Sequence, residues 1–308
     1  MEVLKLINRT DLDVEKAVKI SKTKKYISRV VIVLFLVLVV LLCFFPLFIM
    51  ILTALKNQKE TLAATFRFLP ETPLFSNFVD CFARDNWFRY FFNSGFITLM
   101  VVLFSTFISS LAGFSFARLK FKGNTVLFMM FMAGIMIPSQ VYIVPQYIML
   151  RSIPLLGGND ITGAGGIGLL NSYWALIIPF TAAPLGIFLC RQFYLTFPRS
   201  LDDAARIDGC SDLKIFTSIY LPQSKTVFAT FIILKFTYTW NEFFYPLIMT
   251  NSKEMYTVQI GLQQFNELGT VNWPLLMAAT LVTMIPILIV FFAAQKYFVQ
   301  GIVTSGLK

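Results

Sequence analysis

The sequence contains no histidine, and only 14% of its 308 residues carry a charge. Without histidine, the chain lacks the commonest general base and the commonest metal ligand. Its four cysteines form no CxxC pair, so we expect neither a metal site nor a disulfide framework. It also lacks a GxxxxGK[ST] phosphate loop. These absences argue against a metalloenzyme, a membrane enzyme with a histidine base and an ATPase.

Hydrophobic residues make up 57% of the chain, and the mean hydropathy is +0.72. A membrane-spanning helix needs about 20 apolar residues, and the chain has six runs of that length. Six such runs make buried helices of a soluble protein a poor alternative. We therefore predict an all-α, polytopic membrane protein with six transmembrane helices. The predicted spans are Val30–Leu55, Phe91–Phe116, Val126–Leu150, Leu169–Cys190, Val227–Met249 and Pro274–Tyr297.

The distribution of lysine and arginine predicts the orientation. Eighteen cations lie before span one, after spans two and four, and at the C-terminus, whereas seven lie in the opposite loops. The positive-inside rule then places both termini in the cytoplasm, and it explains the net charge of +10 without nucleic-acid binding. We predict a cytoplasmic segment 1–29, a membrane domain 30–298 and a cytoplasmic tail 299–308. The first apolar run is too long for a signal peptide.

The cytoplasmic loop 198–222 reads PRSLDDAARIDGCSDLKIFTSIYLP. Its pattern predicts two short helices joined by a tight turn. We expect Ser200 to N-cap the first helix, with Asp203 as its capping-box partner. Gly209 is placed to end that helix in the left-handed conformation, Ser211 to cap the second helix and Pro222 to end it. The alternative is an ordinary amphipathic loop lying on the membrane surface.

The segment DAARIDG at 203–209, followed by Leu221 and Pro222, resembles the EAA loop of ABC importer permeases, with Asp203 in place of the usual glutamate. WNEFFYPL at 240–247, GLQQF at 261–265 and the final segment 294–308 resemble the carbohydrate branch, the maltose-type subunits such as MalG. This resemblance implies the type I (MetI-like) permease fold, a localisation in the bacterial inner membrane and a sugar substrate. It covers the chain from about residue 91 onward.

In that family the EAA loop docks into a separate ATPase subunit. The resemblance therefore implies that ATP and magnesium bind to the partner ATPase and that this chain is not itself an enzyme. The implied partners are a second homologous permease subunit, two ATPase subunits, an external solute-binding protein, the sugar and membrane lipid. The implied coupling residues are Asp203, Ala204, Ala205, Asp208, Gly209, Phe216, Leu221 and Pro222.

The outer loop between spans five and six has two interpretations. The resemblance implies a contact with the external binding protein through Phe265, Asn266, Gly269 and Asn272, and the alternative is a plain connector. Within the spans, polar and aromatic residues predict a substrate pathway, because polar groups in a membrane are costly and usually functional. The candidate residues are Gln140, Tyr142, Lys235, Trp240, Asn241, Glu242 and Tyr245. Alternatively, Asn241 and Glu242 hold helices together and Lys235 pairs with a partner subunit.

Other functions remain open at this point. The solute could instead be glycerol phosphate or a polyol, and a secondary transporter or channel would need no docking loop. Gly163, Gly165 and Gly168 satisfy GxGxxG, but no βαβ unit surrounds them, so we expect a flexible external loop there rather than a dinucleotide site.

Overall fold

A computed structural model describes the backbone of residues 2–65, 67–83, 85–267 and 270–305, and the side chains of 25–26, 28–65, 67–83, 85–266 and 270–296. Helices dominate this part of the chain, which confirms the all-α prediction. The long helices are α1 (Glu2–Ala54), α4 (Trp87–Arg118) and α15 (Trp273–Ser305). The remaining ones are α2 (Gln58–Thr61), α3 (Asn77–Ala83), α5 (Asn124–Met136), α6 (Ser139–Arg151), α7 (Tyr173–Ile177), α8 (Pro184–Leu195), α9 (Ser200–Ile207), α10 (Asp212–Ile215), α11 (Leu221–Gln223), α12 (Lys225–Trp240), α13 (Phe244–Met249) and α14 (Val258–Gln263).

The described helices differ from the six predicted spans in number. Four segments are long and apolar enough to cross a membrane: 28–54, 87–118, 173–195 and 273–296. The third predicted span is a pair, α5 and α6, bent by 105°. The bend lies at Ile137 and Pro138, where the backbone is extended, because a proline disfavours helical geometry in the residue before it.

The fifth predicted span, Val227–Met249, is divided into α12 and α13. The 16 residues of α12 reach only about 24 Å, less than the ~30 Å hydrocarbon layer. Pro246 explains the break, because its ring and missing N–H are incompatible with a helical hydrogen bond to Glu242. The predicted fifth span is therefore not one continuous helix in the structure.

Helices α4 and α8 run side by side in the same direction and form the centre of the bundle. Two glycines allow this close approach. A Cβ at Gly113 would lie 2.5 Å from Cys190 Cβ, and one at Gly186 would lie 2.4 Å from Ser109 Oγ. Helix α12 packs against α4 and α15, and the end of α1 packs against α15. The apolar window of α1 has no buried residue, which suits a helix surrounded by lipid.

One end of the bundle carries α9, α10 and the loop after α4, and the other carries α2, α3, α14 and a small hairpin. The hairpin pairs β1 (Asn266–Glu267) with β2 (Thr270–Val271) in antiparallel register. Gln58 Nε2 donates to the carbonyl of Val271 at 2.7 Å, which connects the hairpin to α2. Lys253 Nζ lies 3.1 Å from Asp85 Oδ2 at the same end.

The glycine-rich loop 152–172 is hydrogen-bonded into a fixed shape, contrary to the flexible loop that we predicted. Asn159 is 8% exposed, donates to the carbonyls of Arg151 and Ile153, and accepts from the Gly166 N–H. Gly157 has φ +54°, and a Cβ there would lie 2.1 Å from the Gly168 carbonyl oxygen. The glycines therefore serve close backbone packing rather than mobility.

Candidate functional sites: the coupling loop and the membrane cleft

The loop 198–222, which we call the coupling loop, contains the two short helices that the sequence predicts. Gly209 has φ +76°. The N–H of Gly209 donates to Arg206 O at 3.0 Å and that of Cys210 to Ala205 O at 2.9 Å. These two bonds form a Schellman motif that ends α9. Ser211 Oγ accepts from Lys214 N at 3.3 Å, which confirms Ser211 as the N-cap of α10.

The predicted cap at Ser200 was wrong. The cap of α9 is Arg199, whose backbone is already helical at φ −66° and ψ −25°, and no side-chain hydrogen bond caps the helix. The N–H of Leu201 donates to Pro198 O and that of Asp202 to Arg199 O, so the helical turn starts before the serine. An N-cap needs extended backbone, which Ser200 does not have.

Helix α9 is divided into an inward and an outward face. Asp202 and Ala205 are buried at 6% and 8% exposure, as expected for residues three apart on one helix face. The outward face is solvent-exposed and consists of Asp203, Ala204, Ile207, Asp208 and Gly209. Two of the eight predicted coupling residues, Ala205 and Phe216, lie in the core, and the other six are exposed: Asp203, Ala204, Asp208, Gly209, Leu221 and Pro222.

A buried charge cluster holds α9 on the bundle. Arg118, the last residue of α4, places Nε 3.4 Å from Asp202 Oδ2 and donates to the Tyr220 hydroxyl at 2.5 Å. Tyr220 in turn donates to Asp202 Oδ1 at 2.5 Å. Burial and this hydrogen bond raise the pKa of Tyr220 to about 12, so the phenol keeps its proton at neutral pH. Arg118 also donates to the Phe197 carbonyl at 2.7 Å.

The sequence did not reveal this cluster. From the sequence, Asp202 is expected only to interact with the dipole of α9, and Arg118 is only one of the cytoplasmic cations. No local pattern links the two residues. The apolar residues of α9, Leu201, Ala204, Ala205 and Ile207, do not form one surface, because Ala205 is buried together with Asp202 and the other three are exposed. Ile207 is 87% exposed, whereas Ala205 packs with Ile215 and Tyr220.

The coupling loop continues into the membrane helix α12 through a π-helical turn at Phe216–Tyr220. Phe216 packs on Phe114 of α4 with ring centroids 5.3 Å apart. Pro222 follows this turn, and a π turn is one way to accommodate a proline without a normal helical hydrogen bond. The predicted helix end at Pro222 was wrong, because α11 includes this proline and runs to Gln223. Leu221 and Pro222 are both exposed.

A second site is a cleft of about 580 Å³ between the bent pair α5–α6, α8 and α12. It brings together three of the predicted pathway residues, Gln140, Tyr142 and Lys235. Lys235 Nζ lies 5.4 Å from the Phe180 ring and 5.6 Å from the Tyr238 ring. The cleft thus combines amide, hydroxyl, aromatic and cationic groups. Sequence reasoning missed Tyr238, although it lies one helical turn from Lys235.

The other pathway candidates lie outside that cleft. Glu242 and Tyr245 line a much smaller neighbouring cavity of about 20 Å³, where Glu242 Oε1 accepts from Tyr245 N at 3.0 Å in the first turn of α13. Trp240 is 4% exposed, and its Nε1 donates to Thr283 O at 3.0 Å. Asn241 donates to its own helix at Thr237 O, 2.9 Å away. Of these contacts, only the Trp240 bond joins two helices, α12 and α15, whereas the bonds of Asn241 and Glu242 connect neighbouring residues.

The hairpin at the opposite end holds the predicted binding-protein contacts. Phe265 is buried and stacks on Trp87 with centroids 5.9 Å apart. Asn266 is exposed, and Asn272 Oδ1 accepts from Leu275 N at 3.4 Å at the start of α15. Gly269 lies outside the described residues.

The described residues form a helical membrane bundle that carries a two-helix loop at one end. Residues 105–304 match the family described as the inner membrane component of binding-protein-dependent transport systems. The chain belongs to this family and is a multi-pass inner-membrane protein.

The known proteins that are similar to this chain are transport permeases, and the similarity covers nearly their whole length. The arabinooligosaccharides transport system permease protein AraQ of Bacillus subtilis (strain 168) is 32% identical over 285 residues, which cover 92% of this chain and 96% of AraQ. The sn-glycerol-3-phosphate transport system permease protein UgpE of Escherichia coli O1:K1 / APEC is 29% identical over 278 residues, covering 88% and 94%.

The fold has a counterpart among solved structures. A chain from the crystal structure of a bacterial ABC transporter involved in the import of the acidic polysaccharide alginate superimposes with a TM-score of 0.72 and 20% sequence identity. The similarity covers 88% of this chain and 96% of that chain. The MetI-like permease fold that the EAA resemblance implies is therefore confirmed.

Proposed function

We propose that this chain is the transmembrane permease subunit of an ATP-driven importer for a carbohydrate. It pairs with a second homologous permease and two ATPase subunits, and an external binding protein delivers the solute. ATP and magnesium bind to the ATPase, and this chain converts ATPase movement into alternating access of the membrane cleft. A partner shifts such an equilibrium only by contacting its two states differently.

The outward face of α9 is the observation that carries this proposal. It presents small and acidic groups, namely Ala204, Asp203 and Asp208, beside the exposed side chain of Ile207. Small residues allow a partner to approach the helix closely, and the carboxylates suit cations on that partner. Because Arg118 and Tyr220 fix the inward face through Asp202, the outward face is held rigidly for docking.

The cleft chemistry supports a sugar as the solute. Sugars are bound by aromatic faces together with hydrogen-bonding groups, and the cleft offers Tyr142, Tyr238 and Gln140. The arabinooligosaccharide permease among the similar proteins agrees with this class. Lys235 favours a second candidate, a phosphorylated polyol such as glycerol 3-phosphate, which is the solute named for UgpE.

The orientation follows from the cation count and places both termini and the coupling loop in the cytoplasm. The hairpin at 266–271 then faces the exterior. We propose that Asn266 and Asn272, with Gly269, contribute to the contact with the external binding protein, and that Phe265 supports them from the core.

Substitution of Gly209 tests the coupling role. Gly209→Val cannot readily adopt φ +76°, whereas Gly209→Asn tolerates that conformation. No atom lies within 4 Å of a Cβ at this position, so both variants fit sterically. In the reconstituted complex we expect Gly209→Val to lose ATP-dependent uptake and Gly209→Asn to retain most of it. Unchanged uptake in Gly209→Val, or uptake without the ATPase, would favour a secondary transporter.

The solute is tested separately. Radiolabelled arabinooligosaccharides and glycerol 3-phosphate are titrated against the external binding protein that co-assembles with the chain. Saturable binding of the oligosaccharide supports the carbohydrate proposal, and selective binding of glycerol 3-phosphate supports the second candidate.

A further inference from the structure

A second cleft, about 560 Å³ in volume, lies beside the coupling loop and is distinct from the membrane cleft. It is bounded by the last turn of α4, the connection 119–123, the start of α5 and the end of α8. Its walls are unusually rich in cations. The charged lining residues are Arg118, Lys120, Lys122, Arg191 and Arg199.

Four of these cations have no counter-charge. Arg118 is neutralised by Asp202, but no carboxylate lines the cleft. Among the ion pairs of the described residues, none includes Lys120, Lys122, Arg191 or Arg199. Like charges gathered in one concave surface repel each other and create a positive potential that attracts an anion.

The cleft is held in shape by its own contacts. The guanidinium carbon of Arg191 lies 4.1 Å from the centroid of the Phe128 ring, which fixes the side chain. Arg191 Nε is buried without a hydrogen-bond partner, so the site has unused donor capacity. Asn124 Nδ2 donates to the Leu119 carbonyl at 3.1 Å and closes the turn before α5, where Gly123 has φ +84°.

The surroundings of the cleft are apolar. Phe121 and Leu195 line it and are 41% and 40% exposed. Helix α5, which starts at its edge, has no buried residue and carries an exposed apolar surface including Val126 and Met130. A positive cleft at the end of membrane helices with apolar side chains beside it fits a phosphate group attached to acyl chains.

We propose that this cleft binds the phosphate headgroup of an anionic phospholipid. Arg191 and Lys122 contact the phosphate oxygens, and the acyl chains lie along the exposed face of α5. Guanidinium and ammonium donors form strong, charge-assisted bonds to phosphate. Basic pockets at the cytoplasmic ends of membrane helices have the chemistry for such lipids.

The test is a titration of the purified, assembled complex in detergent with a fluorescent phosphatidylglycerol, with the matching phosphatidylcholine as reference. The proposal expects a preference for phosphatidylglycerol. Lys122→Gln and Arg191→Gln should each weaken phosphatidylglycerol binding about fivefold, because each surface cation contributes on the order of 1 kcal/mol. The control Lys225→Gln removes an exposed cation that does not line the cleft and should leave binding unchanged.

Further arms separate the remaining explanations. Arg191→Lys keeps the charge and should retain binding; if Arg191→Gln does not assemble, the exposed Lys122 carries the test. Equal losses in Lys225→Gln, or no preference over phosphatidylcholine, would overturn the proposal. The proposal would also be overturned if inorganic phosphate displaced the phosphatidylglycerol more than chloride does at the same ionic strength. That result would assign the cleft to a soluble phosphate. Binding to the isolated chain but not to the complex would assign it to an acidic partner subunit.

Discussion

The phenolic hydroxyl of Tyr220 lies 2.5 Å from Asp202 Oδ1 and joins the two helical parts of the coupling loop. Arg118 donates to the same hydroxyl, so three segments distant in sequence meet at one buried oxygen. Helix α9 is therefore fixed to the end of a membrane helix and to the turn that leads into another. Movement of α9 relative to the bundle would have to break this cluster.

We expect Asp202→Asn to destabilise the folded chain strongly. It leaves the Arg118 guanidinium, 3% exposed, without its counter-charge, and such a loss costs about 3–5 kcal/mol. The matched control is Asp212→Asn, which removes an ion pair with Arg206 that is 50% exposed on both sides and contributes about 0–1 kcal/mol. Thermal unfolding of the purified complex compares the two variants. Equal destabilisation would contradict the anchoring role of Asp202.

Two glycines of α4 give a second prediction. Gly113→Ala places a Cβ 2.5 Å from Cys190 Cβ and 2.9 Å from the Arg191 backbone nitrogen, so α4 and α8 must separate. Gly95→Ala meets no atom within 4 Å and gains helix propensity of up to about 1 kcal/mol. We expect Gly113→Ala to lower the melting temperature and Gly95→Ala to leave it equal or higher. The same response in both would refute close packing at Gly113.

Cysteine accessibility tests the membrane cleft. In a variant without the native cysteines, we expect Gln140→Cys to react with a water-soluble methanethiosulfonate and to be protected by the transported solute. Gln140 is exposed in the cleft, whereas Ala278 is fully buried between helices, so Ala278→Cys is the unreactive control. Reaction of Gln140→Cys without any protection by solute would place this residue outside the pathway.

The opposite end of the bundle should respond to acid through Asp85. Partial burial alone would raise the pKa of Asp85, but hydrogen bonds from the Asn86 N–H and from Lys253 outweigh it and hold the pKa below 3.8. The stability that this pair contributes is therefore complete above the unfolded-state pKa, about 3.9, and is lost as the pH falls through the lower folded value.

Asp85→Asn should remove that acid-dependent part of the unfolding free energy. The effect is at most about 1 kcal/mol, because Lys253 is largely exposed. Thermal melts measure this acid-dependent stability at neutral pH and near pH 3. The carboxylate titrates in roughly this range. If wild type and variant lose stability in parallel on acidification, Asp85 is not the responsible group.

Local features of the coupling loop were predictable because they depend on neighbouring residues. Gly209 ends α9 in the left-handed conformation and Ser211 caps α10, each through contacts within a few residues. The prediction of Ser200 as the N-cap was wrong because the helical turn starts earlier, at Pro198. The burial of Asp202 could not be predicted from neighbouring residues, because its partner Arg118 lies on a different helix.

The membrane helices show the same difference between features that depend on neighbouring residues and features that depend on distant ones. Hydropathy placed the apolar segments, but not the breaks that decide which residues face the cleft. Pro138 and Pro246 signalled those breaks, whereas the inward turn of Trp240 depends on the carbonyl of Thr283 in α15. Lys235 and Glu242 are seven residues apart and would share one face of a continuous helix, but α12 ends at Trp240 and the two residues line neighbouring cavities.

The π-helical turn at Phe216–Tyr220 leads almost directly into α11 and α12, and α12 carries Lys235 into the membrane cleft. Helix α12, about 24 Å long, therefore connects the end of the coupling loop to the membrane cleft, with a break at Ser224 between α11 and α12. If the coupling loop receives the movement of an ATPase, the helix that carries Lys235 is the next element in the chain to move. The stiffness of α12, more than any single side chain, would then determine how much of the coupling-loop movement reaches the membrane cleft.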